Sequence, residues 1–360
     1  MFHAGVVTSW RERERALRRR GVDLTLVSAA RWNEGGAPVE FSPEGDDFAV
    51  PVRTFGTHPN LFVFDPRPLW RLLGDGRWDL IDLHEEPFSM ATAELLALRW
   101  LRSRSTPFLV CSAQNLDKRY PPPFRWFERW SLHRAAGAYT CNTQAGTILR
   151  RKGLRGEWVL LPLGVDVDRY RPVRREPPDG RLRVGFVGRL NAQKGVDVLL
   201  DALASDDRLD ADIYGAGPEA AALEARAAGL GLGGRVTFHG FADESTLPRV
   251  FPTFDALAVP SILVPGVLEQ FGRVVVEAQA SGVPVVASAI GALPDVVGQA
   301  GILVAPSDPG ALRAALVRLL EEPGLWGRLR EDGLAWVGQY SWESVADSQQ
   351  ALYERVTTSG

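Results

Sequence analysis

Apolar runs typical of strands alternate with helical stretches along most of the 360 residues. In the first half of the chain the predicted strands are residues 22–27, 80–84, 107–111, 138–141 and 158–161. Helical periodicity precedes the first of these strands at residues 11–20 and separates later ones, as at residues 91–100. Strands that alternate with helices pair in parallel, and the helices then cover both faces of the sheet. The sequence therefore predicts the α/β class.

A polar, proline-rich segment interrupts this alternation between residues 170 and 181. It has no apolar period, which is typical of a linker. The pattern restarts with a strand at residues 182–187. We therefore predict an N-terminal domain over 1–172, a linker over 173–181, a C-terminal domain over 182–340 and a last helix within 341–360. Each domain is long enough to bury a core of its own.

The composition excludes several classes of protein. A net charge of −3 gives no general attraction for nucleic acid, and no apolar run approaches the ~18 residues of a transmembrane helix. The two cysteines, Cys111 and Cys141, have no partner at metal-ligand spacing. We therefore expect no disulfide framework and a reducing cytoplasm as the compartment. An arginine-rich stretch follows the first residues directly, so we expect no signal peptide.

Two carboxylates lie eight residues apart in the segment EQFGRVVVE, at Glu269 and Glu277. The apolar positions after Gly272 predict one buried helix face. A helix N-terminus exposes free N–H groups and a positive dipole end, so the start beside Phe271 suits a phosphate or a sugar hydroxyl. Glu277 lies ~9 Å further along the axis, and a carboxylate can accept hydrogen bonds from both hydroxyls of a ribose. The alternative is two ordinary charged residues at the ends of a surface helix.

This segment resembles the Glu-x7-Glu signature of the retaining glycosyltransferases of family 4, which have the two-domain GT-B fold. Four other segments resemble landmarks of that family: PLGVD at 162–166, VGFVGRLNAQKG at 184–195, IYGAGP at 213–218 and VTFHGF at 236–241. The resemblance implies two Rossmann-like, doubly wound parallel-sheet domains that face an inter-domain cleft. It also implies that the terminal helix crosses back onto the first domain.

The resemblance implies roles for residues of the second domain. Arg189 and Lys194 would bind the diphosphate of a nucleotide-diphosphate sugar, Arg as a planar fork and Lys as a point charge. Glu269 would contact the transferred sugar, and Glu277 would bind the ribose hydroxyls. The other implied donor-binding residues are Phe271, Gly272, Gly188, Gly215, Gly217 and His239. The alternatives are exposed loop cations, a helix-capping Glu269 and a structural His239.

No metal and no separate cofactor are expected besides the nucleotide sugar. Asp166-Val-Asp168 matches Asp-x-Asp but lies where the family has a structural turn, and Asp210-Ala-Asp212 directly precedes a predicted strand core. Fixed cations and a helix dipole can stabilise a diphosphate leaving group instead. No residue lies in a convincing nucleophile setting, and the resemblance implies attack on the face from which the diphosphate leaves.

The N-terminal domain departs most from the family pattern. Relatives usually begin with a central strand before the segment that residues 3–10 resemble, whereas only Met1 and Phe2 precede it here. Either the start lies further upstream, which we favour, or the sheet lacks its middle strand. A missing central strand would expose two sheet edges and forfeit hydrogen bonds.

Four residues are candidates for the acceptor side of the site. Gly5 belongs to the N-terminal loop, and His84 follows a predicted strand, where it is either a ligand contact or a turn residue. Gln114 and Asn115 stand where many relatives carry a histidine. Their amides can hydrogen-bond a hydroxyl but cannot act as acid or base at neutral pH, so we predict a positioning role.

Aromatic and arginine residues alternate between residues 119 and 134. One hypothesis is an interfacial helix that meets a lipid-linked acceptor at the inner face of the membrane. The favoured interpretation is a helix whose aromatic side faces the core and whose arginines are solvated.

We predict a retaining, metal-independent glycosyltransferase that moves a sugar to a hydroxyl acceptor, in bacterial surface polysaccharide or glycolipid assembly by family analogy. The same fold hosts sugar-nucleotide epimerases and phosphorylases, and fold alone does not determine function. A catalytically silent protein that binds a nucleotide sugar is a further alternative. The four charged residues expected in the cleft argue against it.

Overall fold

The structure, a computed structural model, describes residues 1–34, 37–74 and 78–358. It divides into two compact units, one formed by Met1–Gly164 with Trp342–Gly360 and the other by Val165–Ser341. This division precedes the linker expected at 173–181, because the residues after Gly164 pack on the second unit. The ring of Tyr170 lies 5.8 Å from that of Phe251, and Arg175 pairs with Asp255 at 2.6 Å.

The first unit contains ten strands and five helices before the chain leaves it, within the described ranges. The strands are β1 (Leu26–Ala29), β2 (Arg31–Glu34), β3 (Ala37–Glu40), β4 (Ala49–Val52), β5 (Thr54–Phe55), β6 (Val63–Phe64), β7 (Ile81–Leu83), β8 (Phe108–Ser112), β9 (Gly137–Thr140) and β10 (Glu157–Leu160). The helices are α1 (Glu12–Arg19), α2 (Pro66–Gly74), α3 (Met90–Arg102), α4 (Phe124–Arg134) and α5 (Thr143–Arg151).

Parallel pairing joins β7, β8, β9 and β10 into one sheet, and β1 pairs in parallel with β4. Met1 and Phe2 connect the two groups of strands. The N–H of Phe2 donates to the carbonyl of Val27 on the β1 side at 3.0 Å, and the N–H of His84 donates to the carbonyl of Met1 on the β7 side at 2.9 Å. These two residues therefore occupy the position between β1 and β7.

The strand predicted at 22–27 begins later, at Leu26. Val22 and Leu24 are apolar, but they pack against Ala16, Leu17 and the terminal helix instead of pairing with a strand. Tertiary packing, which the local pattern does not reveal, therefore decides where β1 begins.

The second unit is a six-stranded parallel sheet with strand order β13-β12-β11-β14-β15-β16. Its strands are β11 (Leu182–Val187), β12 (Leu209–Tyr214), β13 (Val236–Gly240), β14 (Ala256–Val259), β15 (Val285–Ser288) and β16 (Gly301–Val304). Its helices are α6 (Val196–Ala204), α7 (Ala220–Gly229), α8 (Leu247–Val250), α9 (Arg273–Ala280), α10 (Leu293–Val297), α11 (Pro309–Glu321) and α12 (Leu325–Trp336). The two units thus have the doubly wound α/β architecture that the alternation predicted.

The strand order of the second unit reverses between β11 and β14. The chain runs outwards from β11 to β13, returns to β14 beside β11, and then continues in the other direction to β16. In open parallel sheets, ligands bind outside the carboxyl ends of the strands at such a reversal. The segments that follow β11 and β14 are therefore the places to look for a site.

The last helix, α13 (Trp342–Thr358), belongs to the first unit. Ala346 packs with Ala16 and Leu17 of α1, and Glu343 forms salt bridges with Arg19 and Arg20. An apolar seam and a row of opposite charges thus hold the end of the chain on α1.

Among the described residues, no helix combines the length and the apolar character needed to cross a bilayer. The helix predicted to follow Pro123 is α4, and its fully buried residues are Glu128, Ser131 and Leu132. Its aromatic side chains are only partly covered, and Trp126 is 60% exposed.

Candidate active site

The segment after β11 packs closely against the segment after β12. The N–H of Gly188 donates to the carbonyl of Tyr214 at 3.0 Å, and that of Leu190 donates to Ala216 at 2.9 Å. A Cβ on Gly215 would lie 1.9 Å from the carbonyl oxygen of Gly188, and one on Gly217 would lie 2.2 Å from that of Leu190. Glycine is therefore required at 215 and 217 by the contact between two backbones.

We expect Gly215→Ala to cost about 1–3 kcal/mol of stability, because the new methyl group must push the Gly188 segment away. Moving that segment also displaces Arg189 and Lys194. Thermal unfolding measures the loss of stability. Gly229→Ala is the matched control, because Gly229 ends α7 and a Cβ there would meet no atom from outside its own helix turn within 4 Å; it should lose no stability. A Gly215→Ala protein that equals this control would contradict the packing argument.

Lys194 and Glu269 form an ion pair beyond the carboxyl ends of β11 and β14. Lys194 ends a short 3₁₀ helix (Ala192–Lys194), and its Nζ donates to Oε2 of Glu269 at 2.6 Å. The two side chains are 25% and 11% exposed, and the hydroxyl of Ser261 lies 3.4 Å from the same carboxylate oxygen. Two of the predicted catalytic residues thus meet at the strand-order reversal.

Residues of the segment after β15 contact the backbone of Glu269. The N–H of Ala292 donates to the carbonyl of Glu269 at 3.0 Å, and a Cβ on Gly291 would lie 2.4 Å from that oxygen. Arg189 is exposed, and within the described residues its side chain forms no hydrogen bond or salt bridge with protein. The carboxylate of Glu269 therefore lies on the segment after β14, and the exposed guanidinium of Arg189 lies on the segment after β11. These are the two segments on either side of the strand-order reversal.

Helix α9 begins immediately after Gly272, which has a φ of +86° and is its N-cap. In the described part of the chain the N–H groups of Phe271 and Gly272 donate to no protein acceptor. The ring of Phe271 is buried, 5.9 Å from that of Tyr340, so its side chain anchors the helix start. The predicted contribution of residues 271 and 272 to a ligand is thus restricted to their backbone donors.

Glu277 lies one turn further along α9 and is 5% exposed. Desolvation by burial raises the pKa of its carboxyl above the ordinary value, although Arg273, whose guanidinium lies 3.4 Å away, acts in the opposite direction. The hydroxyl of Tyr170 also hydrogen-bonds this carboxylate, and its remaining acceptor positions can bind hydroxyl groups that approach it.

His239 has protein partners at the edge of the sheet. Its Nε2 lies 2.6 Å from Oδ1 of Asp212, and its ring stacks on that of Tyr214 at 4.3 Å with an interplanar angle of 6°. Arg183 binds the other oxygen of Asp212. These contacts support the structural alternative for His239.

The carboxylates of the two Asp-x-Asp segments form hydrogen bonds and salt bridges with other groups of the protein. One oxygen of Asp166 accepts hydrogen bonds from the N–H groups of Asp168 and Arg169, both at 3.0 Å. Asp210 pairs with Arg181 at 2.5 Å. Over residues 1–34, 37–74 and 78–358, no group of three or more His, Cys, Asp or Glu is arranged to hold a metal ion.

The predicted acceptor residues of the first unit also have protein partners. His84 contacts Arg13 and Tyr139 through Nδ1, and burial lowers the pKa of the imidazole well below its ordinary value. Gly5 is buried, and its carbonyl accepts a hydrogen bond from Arg11 at 2.5 Å. The structure thus gives both residues a packing role.

The segment of Gln114 and Asn115 is organised around Glu86. Ser112 donates to one oxygen of Glu86 at 2.7 Å and the N–H of Ala113 donates to the other at 2.9 Å. The amide oxygen of Gln114 accepts from the N–H of Leu116 at 3.1 Å, and Asn115 is buried. Burial raises the pKa of Glu86 above its ordinary value.

His3 and Glu85 form a second pair that the sequence did not reveal. The imidazole Nδ1 lies 2.7 Å from Oε1 of Glu85. The two residues are 82 positions apart, so no local spacing connects them. Only the placement of Met1 and Phe2 beside β7 brings them together.

Two family profiles cover most of the chain. The profile described as "Glycosyl transferase 4-like domain" matches residues 4–164, and "Glycosyl transferases group 1" matches residues 169–336. The chain is 32% identical over 310 residues to a 2-deoxystreptamine glucosyltransferase of Streptomyces kanamyceticus, an alignment that covers 78% of this chain and 79% of that protein. It is 33% identical to a D-inositol 3-phosphate glycosyltransferase of Segniliparus rotundus over 56% of this chain and 47% of that protein.

Solved structures of glycosyltransferases have the same fold. A sucrose-phosphate synthase of Thermosynechococcus elongatus aligns over 97% of this chain and 93% of its own with a TM-score of 0.71 and 23% identity. HepE of Anabaena, solved with UDP and glucose, aligns over 80% of this chain and 81% of its own with a TM-score of 0.64 and 20% identity. The two parallel-sheet units are those of the GT-B fold, and the chain belongs to the group 1 glycosyltransferases.

Proposed function

We propose that this glycosyltransferase moves a sugar from a nucleotide-diphosphate sugar to a hydroxyl acceptor, with retention of configuration and without a metal ion. The observation that carries the proposal is the Lys194–Glu269 pair at the strand-order reversal of the second unit, 2.6 Å between Nζ and Oε2. A cation and a carboxylate there match the two halves of a sugar diphosphate, one anionic and one rich in hydroxyls.

The donor diphosphate would bind between Arg189, Lys194 and the start of α9. Arg189 would supply a planar fork of donors and Lys194 a point charge. The N–H groups of Phe271 and Gly272 would add donors at the positive end of the helix. As the diphosphate draws Lys194 away, Glu269 becomes available to accept hydrogen bonds from the sugar.

The chemical step then breaks the bond between the anomeric carbon and the diphosphate oxygen. The acceptor oxygen forms the new bond on the same face, and its proton passes to the departing diphosphate oxygen. Arg189 and Lys194 stabilise the negative charge that develops on that oxygen in the transition state. Glu277 would meanwhile bind the ribose through its buried carboxylate.

Nucleotide binding tests the donor half of this proposal. Thermal unfolding with UDP, GDP, ADP and dTDP should single out one nucleotide, and UDP is our expectation because HepE of Anabaena was solved with it. A ligand at a hundredfold excess over Kd adds about 2.7 kcal/mol, which is a shift of several degrees at this size. Arg189→Ala should abolish the shift. A folded protein that responds to none of the four nucleotides would overturn the proposal.

For the acceptor we propose a ring compound with several hydroxyl groups. Both relatives named above carry a cyclohexane polyol in their names, 2-deoxystreptamine and inositol 3-phosphate. Assembly of a bacterial surface polysaccharide or glycolipid stays our prediction for the setting. Radiolabelled glucose is offered as UDP-glucose together with 2-deoxystreptamine, myo-inositol or a lipid extract. The labelled product then shows whether the acceptor is a polyol ring or a lipid.

We further propose a cytoplasmic enzyme that makes peripheral contact with the inner face of the membrane through residues 119–134. Trp126 on α4 is 60% exposed and lies next to the exposed Arg125, the combination expected of an interfacial helix. Anionic vesicles should carry the wild type upwards in a flotation gradient, and Trp126→Ala should reduce this binding. A wild type that stays at the bottom of the gradient would exclude the contact.

A further inference from the structure

The imidazole of His3 is fixed by a carboxylate on its Nδ1 side. Nδ1 lies 2.7 Å from Oε1 and 2.8 Å from Oε2 of Glu85, and the backbone N–H of His3 donates to Oε1 at 2.8 Å. The Glu85 side chain is 4% exposed and that of His3 is 16% exposed. Three contacts between the same two residues thus fix the position of the ring.

Two aromatic rings fix the orientation of the imidazole further. Its centroid lies 4.5 Å from that of Trp32 and 5.0 Å from that of Phe62, and the rings of Trp32 and Phe62 lie 4.8 Å apart. Both of these side chains are buried. Packing against these two rings therefore favours the orientation in which Nδ1 faces Glu85.

This arrangement determines which nitrogen is available. A carboxylate accepts a hydrogen bond, so Nδ1 carries a proton, and in the neutral form of the ring Nε2 presents its lone pair. Within the described residues, Nε2 of His3 has no hydrogen-bond partner. A carboxylate that orients a histidine in this way is a common device for preparing the other nitrogen to meet a substrate.

The position of the pair in the fold points to a ligand. From Met1 and Phe2 the chain runs outwards to β1 and β4, and it later returns to β7 on the other side of these two residues. The strand order of the first unit therefore reverses between the Met1–Phe2 segment and β7. His3 and Glu85 follow the carboxyl ends of the two segments that flank this reversal, which is where open parallel sheets bind their ligands.

We infer that Nε2 of His3 accepts a hydrogen bond from a hydroxyl of the acceptor, with Glu85 as its positioning residue. The hydroxyl is one that does not react, because the reacting one gives its proton to the diphosphate. A polyol ring supplies such a second hydroxyl. This inference rests on the proposed function and adds to it a residue that selects the acceptor.

Binding of defined polyols tests the inference. The probes are 2-deoxystreptamine and myo-inositol, titrated into the UDP-saturated full chain by calorimetry. His3→Ala should weaken binding of the better probe about tenfold, as expected for one lost hydrogen bond of about 1.5 kcal/mol, and His3→Gln should recover part of the loss. His58→Ala is the matched control, since His58 is an exposed histidine of the same unit whose Nδ1 accepts from the N–H of Asn60. It should bind like the wild type.

The role of Glu85 has a spectroscopic readout. The chain has five histidines, so ¹⁵N labelling of histidine gives few signals, and the signal lost in His3→Ala identifies His3. That signal should have the pattern of an Nδ1–H tautomer and should move when a probe is added. Glu85→Ala should convert it to a tautomer mixture. A His3 signal that neither probe moves, or equal polyol binding by His3→Ala and His58→Ala, would overturn the inference. UDP binding is measured separately, so its loss would identify failure of the proposed function instead.

Discussion

Replacing Glu269 by glutamine is expected to lower transfer turnover by a factor of ~10²–10³, the usual cost of one preorganised contact that stabilises the transition state. Glutamine has the same shape but no charge, so it accepts hydrogen bonds from the sugar less strongly and no longer forms an ion pair with Lys194 in the enzyme without donor. Lys194 lies 2.6 Å from the carboxylate, and its position should change too. The turnover number with UDP-glucose and the better acceptor measures the effect.

The control for this variant is Glu224→Gln. Glu224 is an exposed glutamate on α7 of the same unit, and its replacement should leave turnover and melting temperature unchanged. Lys194→Ala and the double variant complete a cycle. Because the two side chains are in contact, their effects should not add. A Glu269→Gln enzyme within threefold of the wild type would contradict the role given to this carboxylate.

Replacing Glu277 by glutamine is expected to weaken nucleotide binding tenfold or more while it stabilises the free protein. Hydrogen bonds to a charged group contribute about 1.5–3 kcal/mol each, and a ribose offers two hydroxyls. In the free protein, however, burial raises the pKa of this carboxyl. Its ionised form therefore destabilises the fold, and the neutral amide removes that cost.

The sign of the pH dependence follows from the raised pKa. Between the unfolded value of ~4.3 and the higher folded value, the native state binds more protons than the unfolded state, so stability falls as the pH rises. The stability gain of Glu277→Gln should thus be present at pH 7 and disappear towards pH 4. Melting temperatures at several pH values, with and without UDP, measure both effects. A variant that is less stable at pH 7 and still binds UDP normally would exclude this account.

The second unit was largely predictable from the sequence. The strand predicted at 182–187 is β11 to the residue, because a largely buried parallel strand is rich in apolar residues, and Arg183 is its one exposed position. Lys194 and Glu269 were predicted to serve one site from motifs 75 residues apart. The strand order explains why they meet, since the segments after β11 and β14 lie beside each other.

The first unit was predictable only in part. The strand predicted at 22–27 begins at Leu26, because Val22 and Leu24 pack on helices. The pair of His3 and Glu85 depends on the hydrogen bonds of Met1 and Phe2 to both neighbouring segments. Contacts of this range leave no periodicity in the sequence, and one chain alone offers no local pattern that would join them.

The most direct test of the central claim is the anomeric configuration of the product. The wild type is incubated with UDP-α-glucose and the better polyol acceptor in the presence of excess EDTA, and the new glycoside is analysed by NMR. The account predicts release of UDP together with an α-glucoside, at a rate that EDTA does not change. A β-glucoside would contradict the retaining mechanism, and loss of all activity in EDTA would contradict the metal-independent stabilisation by Arg189 and Lys194.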